Sequence, residues 1–171
     1  MFEHLQDKKI YNDFKETYKI KEFKNNPIKN LEEVRRLGYN DVCRTLRGIK
    51  NFPRQAENFK KVALEFLVNI INITPSNQEE FDHRHNEACK KCCETDNGIT
   101  IHYGQAQKLI NMSLKYFYNE YICYNQENYL SYPNNNIESY FHLPVDNQVI
   151  NYLREWYHNF YIPVTPWSQW E

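Results

Sequence analysis

Two lysines and an aspartate in the second half of the chain are the residues best suited to covalent chemistry. Lys108 and Lys115 lie in an apolar stretch that begins at Gly104, and Asp146 follows Lys115 by 31 residues, in the segment Leu143-Pro-Val-Asp146. A lysine amine can attack a sugar C1′ and form a Schiff base, while a carboxylate stabilises the positive charge and moves a proton. The spacing therefore predicts a lysine near the start of one helix and an aspartate at the entrance of the next.

Lys108 is the predicted nucleophile of this set. The first turn of a helix disfavours an ammonium ion, because the helix dipole is positive there. Apolar neighbours such as Leu109 and Met112 would favour the neutral amine further, as would the second cation at Lys115. The structural alternatives are an ordinary surface lysine at position 108 and a plain helix N-cap at Asp146.

The elements that must position these side chains are predicted to be helices. Only 4 Gly occur in 171 residues, which argues against a Rossmann or P-loop motif and against a β-rich fold with many tight turns. We predict an all-α fold, a compact helical domain over residues 29–171, preceded by an N-terminal arm over residues 1–28. The apolar spacing predicts helices over residues 30–37, 41–47, 53–73, 76–94, 105–123 and 147–161.

The ends and faces of these helices follow from local signals. Gly38 is expected to end the first helix, Ser76 with Glu79 to form a capping box, and Asp146 to cap the last helix. The helix over residues 53–73 has a wide apolar stripe and is expected to be the central one. The residues expected to face inward from the helices at 76–94 and 147–161 are Phe81, His85, Ala88, Cys92, Val149, Ile150, Leu153, Trp156, Tyr157 and Phe160. A long polar connection over residues 125–143 has room for one short helical turn.

Charge is distributed unevenly along the chain. Residues 1–115 hold 20 of the 21 Lys and Arg with 16 acids, and residues 116–171 hold one basic residue with six acids. A basic cluster opposed only by Glu57 is a candidate phosphate-facing surface, and the alternative is a solvated helical face. The cluster consists of Arg44, Arg47, Lys50, Arg54, Lys60 and Lys61.

Five cysteines, three of them at positions 89, 92 and 93, fit a reducing compartment. On a helix His85, Cys89 and Cys92 share one face and are weak candidates for a zinc site. No second pair of ligands at familiar spacing accompanies them, so we expect neither a metal nor another cofactor. No signal peptide and no apolar run of about 20 residues occurs, so we predict a cytoplasmic protein without a membrane segment.

The helix that carries Lys108 resembles the corresponding helix of archaeal 8-oxoguanine DNA glycosylases, which belong to the helix-hairpin-helix superfamily. The resemblance rests on Gln107-Lys108-Leu-Ile-Asn-Met-Ser-Leu-Lys115 and on Leu143-Pro-Val-Asp146-Asn-Gln-Val149-Ile, and covers about residues 100–160. It implies a helix-hairpin-helix-like element, with Lys108 as the Schiff-base lysine and Asp146 as the essential carboxylate. The hairpin would be His102-Tyr103-Gly104-Gln105, with backbone amides that bind a phosphate.

The sequence thus predicts a DNA glycosylase that excises a modified or oxidised base, with or without cleavage of the strand at the abasic site. DNA is the expected partner, and His142, close to Asp146, could touch a phosphate or a base. The alternative is a non-catalytic helical module that binds a protein or a nucleotide, as in a phage–host conflict system. The two hypotheses differ in one requirement: only the enzyme needs Lys108 and Asp146 to face one cavity that solvent can reach.

Overall fold

Helices alone make up the regular structure of the part of the chain that the computed structural model describes, namely residues 27–46, 52–94, 101–119, 137–144 and 147–156. The α-helices are α1 (Pro27–Val42), α2 (Phe52–Asn72), α3 (Gln78–Cys93), α4 (Tyr103–Phe117) and α5 (Asn147–Trp156). Two short 3-10 helices, Cys43–Leu46 and Ile137–Tyr140, are also present. The predicted all-α class is confirmed. None of the helices in these ranges is long and apolar enough to cross a membrane.

The innermost helix is α4 rather than α2. Eleven of its 15 residues are buried, and it contacts α1, α2 and α3. Helix α2 keeps a polar face towards solvent, and its buried residues form the predicted stripe: Phe59, Val62, Ala63, Phe66, Leu67, Ile70 and Ile71. The stripe was identified correctly, but the central place assigned to α2 was wrong, because a wide stripe on one face buries less of a helix than contact on all sides.

Helix α1 runs through Gly38, where the sequence predicted a stop. A Cβ built at Gly38 would meet the hydroxyl of Ser113 and would lie 2.8 Å from the Ser113 backbone nitrogen. Glycine is therefore needed here for the close approach of α1 to α4, and not for a turn. The two short helices predicted over residues 30–37 and 41–47 are in fact one α-helix followed by the 3-10 helix Cys43–Leu46. Its start at Pro27 places the predicted arm boundary at residue 28 within α1, and residues 1–26 lie outside the described ranges.

Helix α3 begins one residue later than the predicted capping box implies. Asn77 is the N-cap, and its side-chain oxygen accepts from the backbone N–H of Glu80 at 2.9 Å. Glu80 in turn accepts from the backbone N–H and the hydroxyl of Ser76, and these bonds lower the pKa of its carboxyl to about 2. The helix is thus capped by Asn77, and the carboxylate that bonds Ser76 is that of Glu80 rather than that of Glu79. The inward residues Phe81, His85, Ala88 and Cys92 are buried as predicted.

Helix α5 follows the predicted start but exposes one residue expected inside. Ile150 is buried, whereas Trp156 is 64% exposed. The predicted cap Asp146 and the inward residues Tyr157 and Phe160 lie outside the described ranges, so those predictions remain untested.

Candidate functional site

Lys108 lies half-buried on the innermost helix. Because α4 begins at Tyr103, Lys108 is in the second turn and not in the first, which places it beyond the strongest influence of the helix dipole. Its neighbours Leu109 and Met112 are buried in the core. Lys115 is exposed, with its ammonium 6.0 Å from the centre of the Tyr116 ring. The two lysines therefore differ in environment, and Lys108 is the more enclosed.

The predicted phosphate-binding hairpin is closed by its own hydrogen bonds. The His102 backbone N–H donates to Gln105 Oε1 at 3.0 Å, and the backbone amides of Gln105 and Ala106 both donate to the His102 carbonyl. Gly104 and Gln105 are buried, and His102 is half-buried. The N–H groups of residues 102, 105 and 106 thus serve the start of the helix, and this arrangement turns none of the three towards a phosphate.

Gln105 also joins the start of α4 to the basic turn that follows α1. Its side-chain nitrogen donates to the Thr45 carbonyl at 3.1 Å, which holds the 3-10 helix Cys43–Leu46 against α4. Arg44 in that turn is exposed. The structure therefore brings one cation of the predicted DNA-facing cluster close to the helix that carries Lys108.

Two other members of the basic cluster have described side chains, and both are paired with carboxylates. Lys60 pairs with Glu57 and lies 5.2 Å from the centre of the Tyr39 ring, and Lys61 pairs with Glu65 at 3.6 Å. Arg47 and Lys50 lie outside the described ranges, as does the side chain of Arg54. Of the six predicted phosphate contacts, Arg44 is thus the one whose described setting suits the role.

His85 is a buried histidine tied to the innermost helix. Its Nε2 lies 2.8 Å from Asn111 Oδ1, which requires Nε2 to carry the proton because an amide oxygen only accepts. Burial, followed by the nearby His142, lowers the pKa of His85 to about 4. The ring is therefore neutral near pH 7, and it joins α3 to α4 through a single hydrogen bond.

His142 is one of the contacts between the segment at 137–144 and α3. Its ring centre is 4.5 Å from that of His85, and its Nε2 lies 2.8 Å from Asp82 Oδ1. Hydrogen bonds from Gln78 and from His142 lower the pKa of the Asp82 carboxyl. The sequence suggested His142 as a residue beside Asp146 and missed Asp82 altogether, because no local pattern relates two residues 60 positions apart.

The two histidines link the approach to Asp146 with the neighbourhood of Lys108. His142 lies four residues before Asp146, and it contacts His85, which bonds to Asn111. Asn111 is three residues after Lys108 on α4, so the two residues are neighbours along one side of the helix. Asp146 itself lies outside the described ranges.

The cysteines of α3 are buried thiols. Cys89 Sγ lies 3.8 Å from His85 Nδ1, and Cys92 Sγ donates to the Phe59 carbonyl at 3.8 Å. Burial raises the pKa of Cys89 to about 12 and that of Cys92 well above its ordinary value. Within the described ranges no three His, Cys, Asp or Glu side chains are placed to hold a metal ion, so His85, Cys89 and Cys92 do not form a ligand set.

A shallow cleft of about 340 Å³ lies between α2 and α3, away from Lys108. Its lining includes the apolar side chains of Val62, Phe66 and Ala88 and the charged side chains of Glu65 and Lys91. Charges of both signs line it, so its charge favours neither an anionic nor a cationic ligand.

Comparison with protein-family models, curated proteins and solved structures found no significant match to this chain.

Proposed function

We propose that the protein is a DNA glycosylase that excises a modified or oxidised base, with Lys108 as the nucleophile and Asp146 as the essential carboxylate. The Lys108 amine would form a bond to the sugar C1′ while the bond from C1′ to the base breaks, and the base would leave with the electron pair and take up a proton. Loss of a proton from the attached nitrogen and opening of the sugar ring at O4′ would give the Schiff base. Water would then hydrolyse this intermediate and free the lysine.

The observation that carries the proposal is the contact path from His142 through His85 to Asn111. It supports a position for the residues leading into Asp146 against the helix that carries Lys108. A nucleophile on a mostly buried helix and a carboxylate carried by a neighbouring segment would meet the geometric need for two groups at one reacting carbon. The helix-hairpin-helix-like element belongs to the same proposal, although the amides of residues 102, 105 and 106 are already bonded.

DNA would be the partner, and no cofactor is required for this chemistry. The exposed Arg44, held beside the start of α4 by Gln105, supports a phosphate contact near the entrance of the site. An altered base would have to be rotated out of the duplex to reach a lysine that is half-buried, at a cost of a few kcal/mol of stacking. We further propose a cytoplasmic location, where such a protein would meet DNA.

Borohydride trapping tests the proposal directly. The protein is incubated with duplex DNA that carries one lesion per duplex, 8-oxoguanine first, and borohydride is added to reduce any Schiff base to a stable adduct. We expect an adduct with the wild type, none with Lys108→Gln, and an undiminished adduct with Lys115→Gln, which changes an exposed lysine two turns along the same helix. Peptide mapping of the adduct should locate the DNA remnant on Lys108.

Two further variants separate chemistry from binding. Asp146→Asn should slow adduct formation by about 100-fold or more, the effect of removing a group that transfers protons in the transition state. Arg44→Gln should weaken DNA binding and lower the salt dependence of the affinity by about one charge. The absence of both adduct and released base across a panel of oxidised, alkylated and deaminated bases would eliminate the enzyme.

The second candidate is a non-catalytic module that binds a protein, and the exposed aromatic pair on α5 favours it. Tyr152 and Trp156 are 56% and 64% exposed, and their ring centres are 6.0 Å apart. Tyrosine and tryptophan are enriched at the centres of protein interfaces. A photo-crosslinking residue at position 152 should then capture a defined partner, whereas the same residue at the exposed position 151 should capture less.

A further inference from the structure

We propose that Asp82 and His142 are positioning residues, which hold the segment at 137–144 on α3 and thereby set where Asp146 can reach. The inference rests on the proposed function, because positioning refers to the reaction of Lys108 and Asp146. Neither side chain is assigned to touch the DNA or the reacting atoms.

A small set of hydrogen bonds joins the segment to α3. Asp82 Oδ1 accepts from His142 Nε2 at 2.8 Å and from Gln78 Nε2 at 2.6 Å, and Gln78 Nε2 also lies 3.2 Å from the Tyr140 carbonyl. The Asp82 carboxylate therefore orients two donors, one from its own helix and one from the segment. Because the carboxylate only accepts, His142 Nε2 carries the proton in this bond.

Contacts between aromatic rings also hold the segment against α3. The buried ring of Phe81 lies 5.4 Å from the ring centre of His142, 6.0 Å from that of Phe141 and 6.3 Å from that of Tyr140. Phe141 also packs at 6.2 Å against Phe117 of α4. The rings supply contact area, while the bonds to Asp82 supply direction.

The anchored residue is close to Asp146 along the chain. Four residues of extended backbone span at most about 14 Å, so anchoring His142 on α3 limits how far from this anchor the Asp146 carboxylate can act. Releasing the anchor would let the carboxylate sample many positions that are unproductive for attack at C1′, and misplacement by about 1 Å can lower a rate by roughly 100-fold.

Loss of the anchor should leave the fold intact. The side chains of Asp82 and His142 are 50% and 32% exposed, and partly exposed polar pairs of this kind contribute little to stability. A merely structural role would therefore show only a small change in unfolding, whereas a positioning role would appear in the motion of the segment and in the rate of the reaction.

The test combines hydrogen exchange with borohydride trapping on the full chain. In Asp82→Ala and in His142→Ala we expect the amides of residues 137–143 to exchange about tenfold faster than in the wild type, with unchanged exchange in α2. Adduct formation should slow by tenfold or more, with unchanged DNA affinity. Asp82→Asn keeps an acceptor oxygen and should restore part of both properties, and Glu79→Ala, which removes an exposed carboxylate from the same helix, should change neither.

The outcomes separate this inference from the function on which it rests. Amide exchange in residues 137–143 that is unchanged by Asp82→Ala would overturn it. Faster exchange with an undiminished rate of adduct formation would overturn the positioning role while leaving the glycosylase in place. A wild type that forms no adduct with any lesion would overturn both, and the exchange data would then show only that the pair anchors the segment.

Discussion

Replacing Gly38 with alanine is expected to destabilise the protein, although alanine is the better helix former. In the interior of an exposed helix this change stabilises by roughly 0.5–1 kcal/mol. At position 38, however, the new Cβ would meet the Ser113 hydroxyl, and would lie 2.8 Å from the Ser113 nitrogen and 3.1 Å from the Leu109 carbonyl oxygen. The two contributions have opposite signs, so the sign of the measured change shows which one dominates.

The steric contribution should be the larger. The Ser113 hydroxyl donates to the Leu109 carbonyl at 2.8 Å, so moving it aside breaks a buried hydrogen bond, and the Ser113 nitrogen cannot move unless α4 moves. Overpacking of this kind typically costs about 1–3 kcal/mol. After subtraction of the gain in helix propensity we expect a net loss of up to about 2.5 kcal/mol, centred near about 1 kcal/mol, which lowers Tm by up to about 10 °C for a chain of 171 residues.

Thermal and urea unfolding, followed by far-ultraviolet circular dichroism, measure this change. Asn40→Ala is the matched control, since it places alanine at an exposed position of the same helix and should leave stability equal or higher. Adding Ser113→Ala to Gly38→Ala removes the hydroxyl clash but not the backbone contact, so it should restore part of the loss. A Gly38→Ala protein at least as stable as the wild type would refute the close approach of α1 and α4.

Three further predictions concern the core and the caps. The free energy of unfolding should fall by about 3 kcal/mol between about pH 6.5 and pH 4. The reason is that the buried His85, with its pKa lowered to about 4, takes up a proton more readily when the chain is unfolded. Urea unfolding at a series of pH values should show a weaker dependence of this free energy on pH for His85→Gln. Cys89, with a pKa raised to about 12, should react with a disulfide reagent at pH 8 only on unfolding, whereas the half-buried Cys43 reacts in the native protein; peptide mass spectrometry that finds rapid native labelling of Cys89 would contradict its burial. Asn77→Ala should lower the free energy of unfolding by about 1 kcal/mol, whereas Glu79→Ala should leave it nearly unchanged, as urea unfolding can show.

The parts of the fold that could be predicted are those with a short-range periodic signal. The stripe of α2 and the inward face of α3 repeat at three and four residues, and such spacing determines which side chains a helix can bury. Single residues that commonly mark helix ends or caps were less informative about the fold. A glycine such as Gly38 can mark the end of a helix or a close contact between two helices. A serine such as Ser76 can be the N-cap itself or the residue before it. Tertiary packing determines which of these roles each residue has.

The candidate site shows the same limit. Lys108 stands out because a lysine in an apolar helix is locally unusual. The bonds of Gln105 to Thr45 and of Asp82 to His142 depend on which parts of the chain become neighbours, and no pattern within a window of sequence encodes that. A sequence argument therefore identifies a candidate such as Lys108 more readily than the residues that hold its surroundings.

The distribution of polar groups in the described part of the protein bears on which of the two proposed functions to test first. Three of the buried polar side chains, Gln105, Asn111 and Ser113, belong to α4, and each is hydrogen-bonded to another part of the chain or to its own helix. Such bonds fix the rotation of α4 about its axis, because a different rotation would leave buried amides unpaired. A protein-binding module whose contact surface is α5 gains nothing from this precision at α4. An enzyme that must present one lysine to one carbon atom does gain from it, which is why trapping at Lys108 is the more informative experiment to perform before any search for a partner.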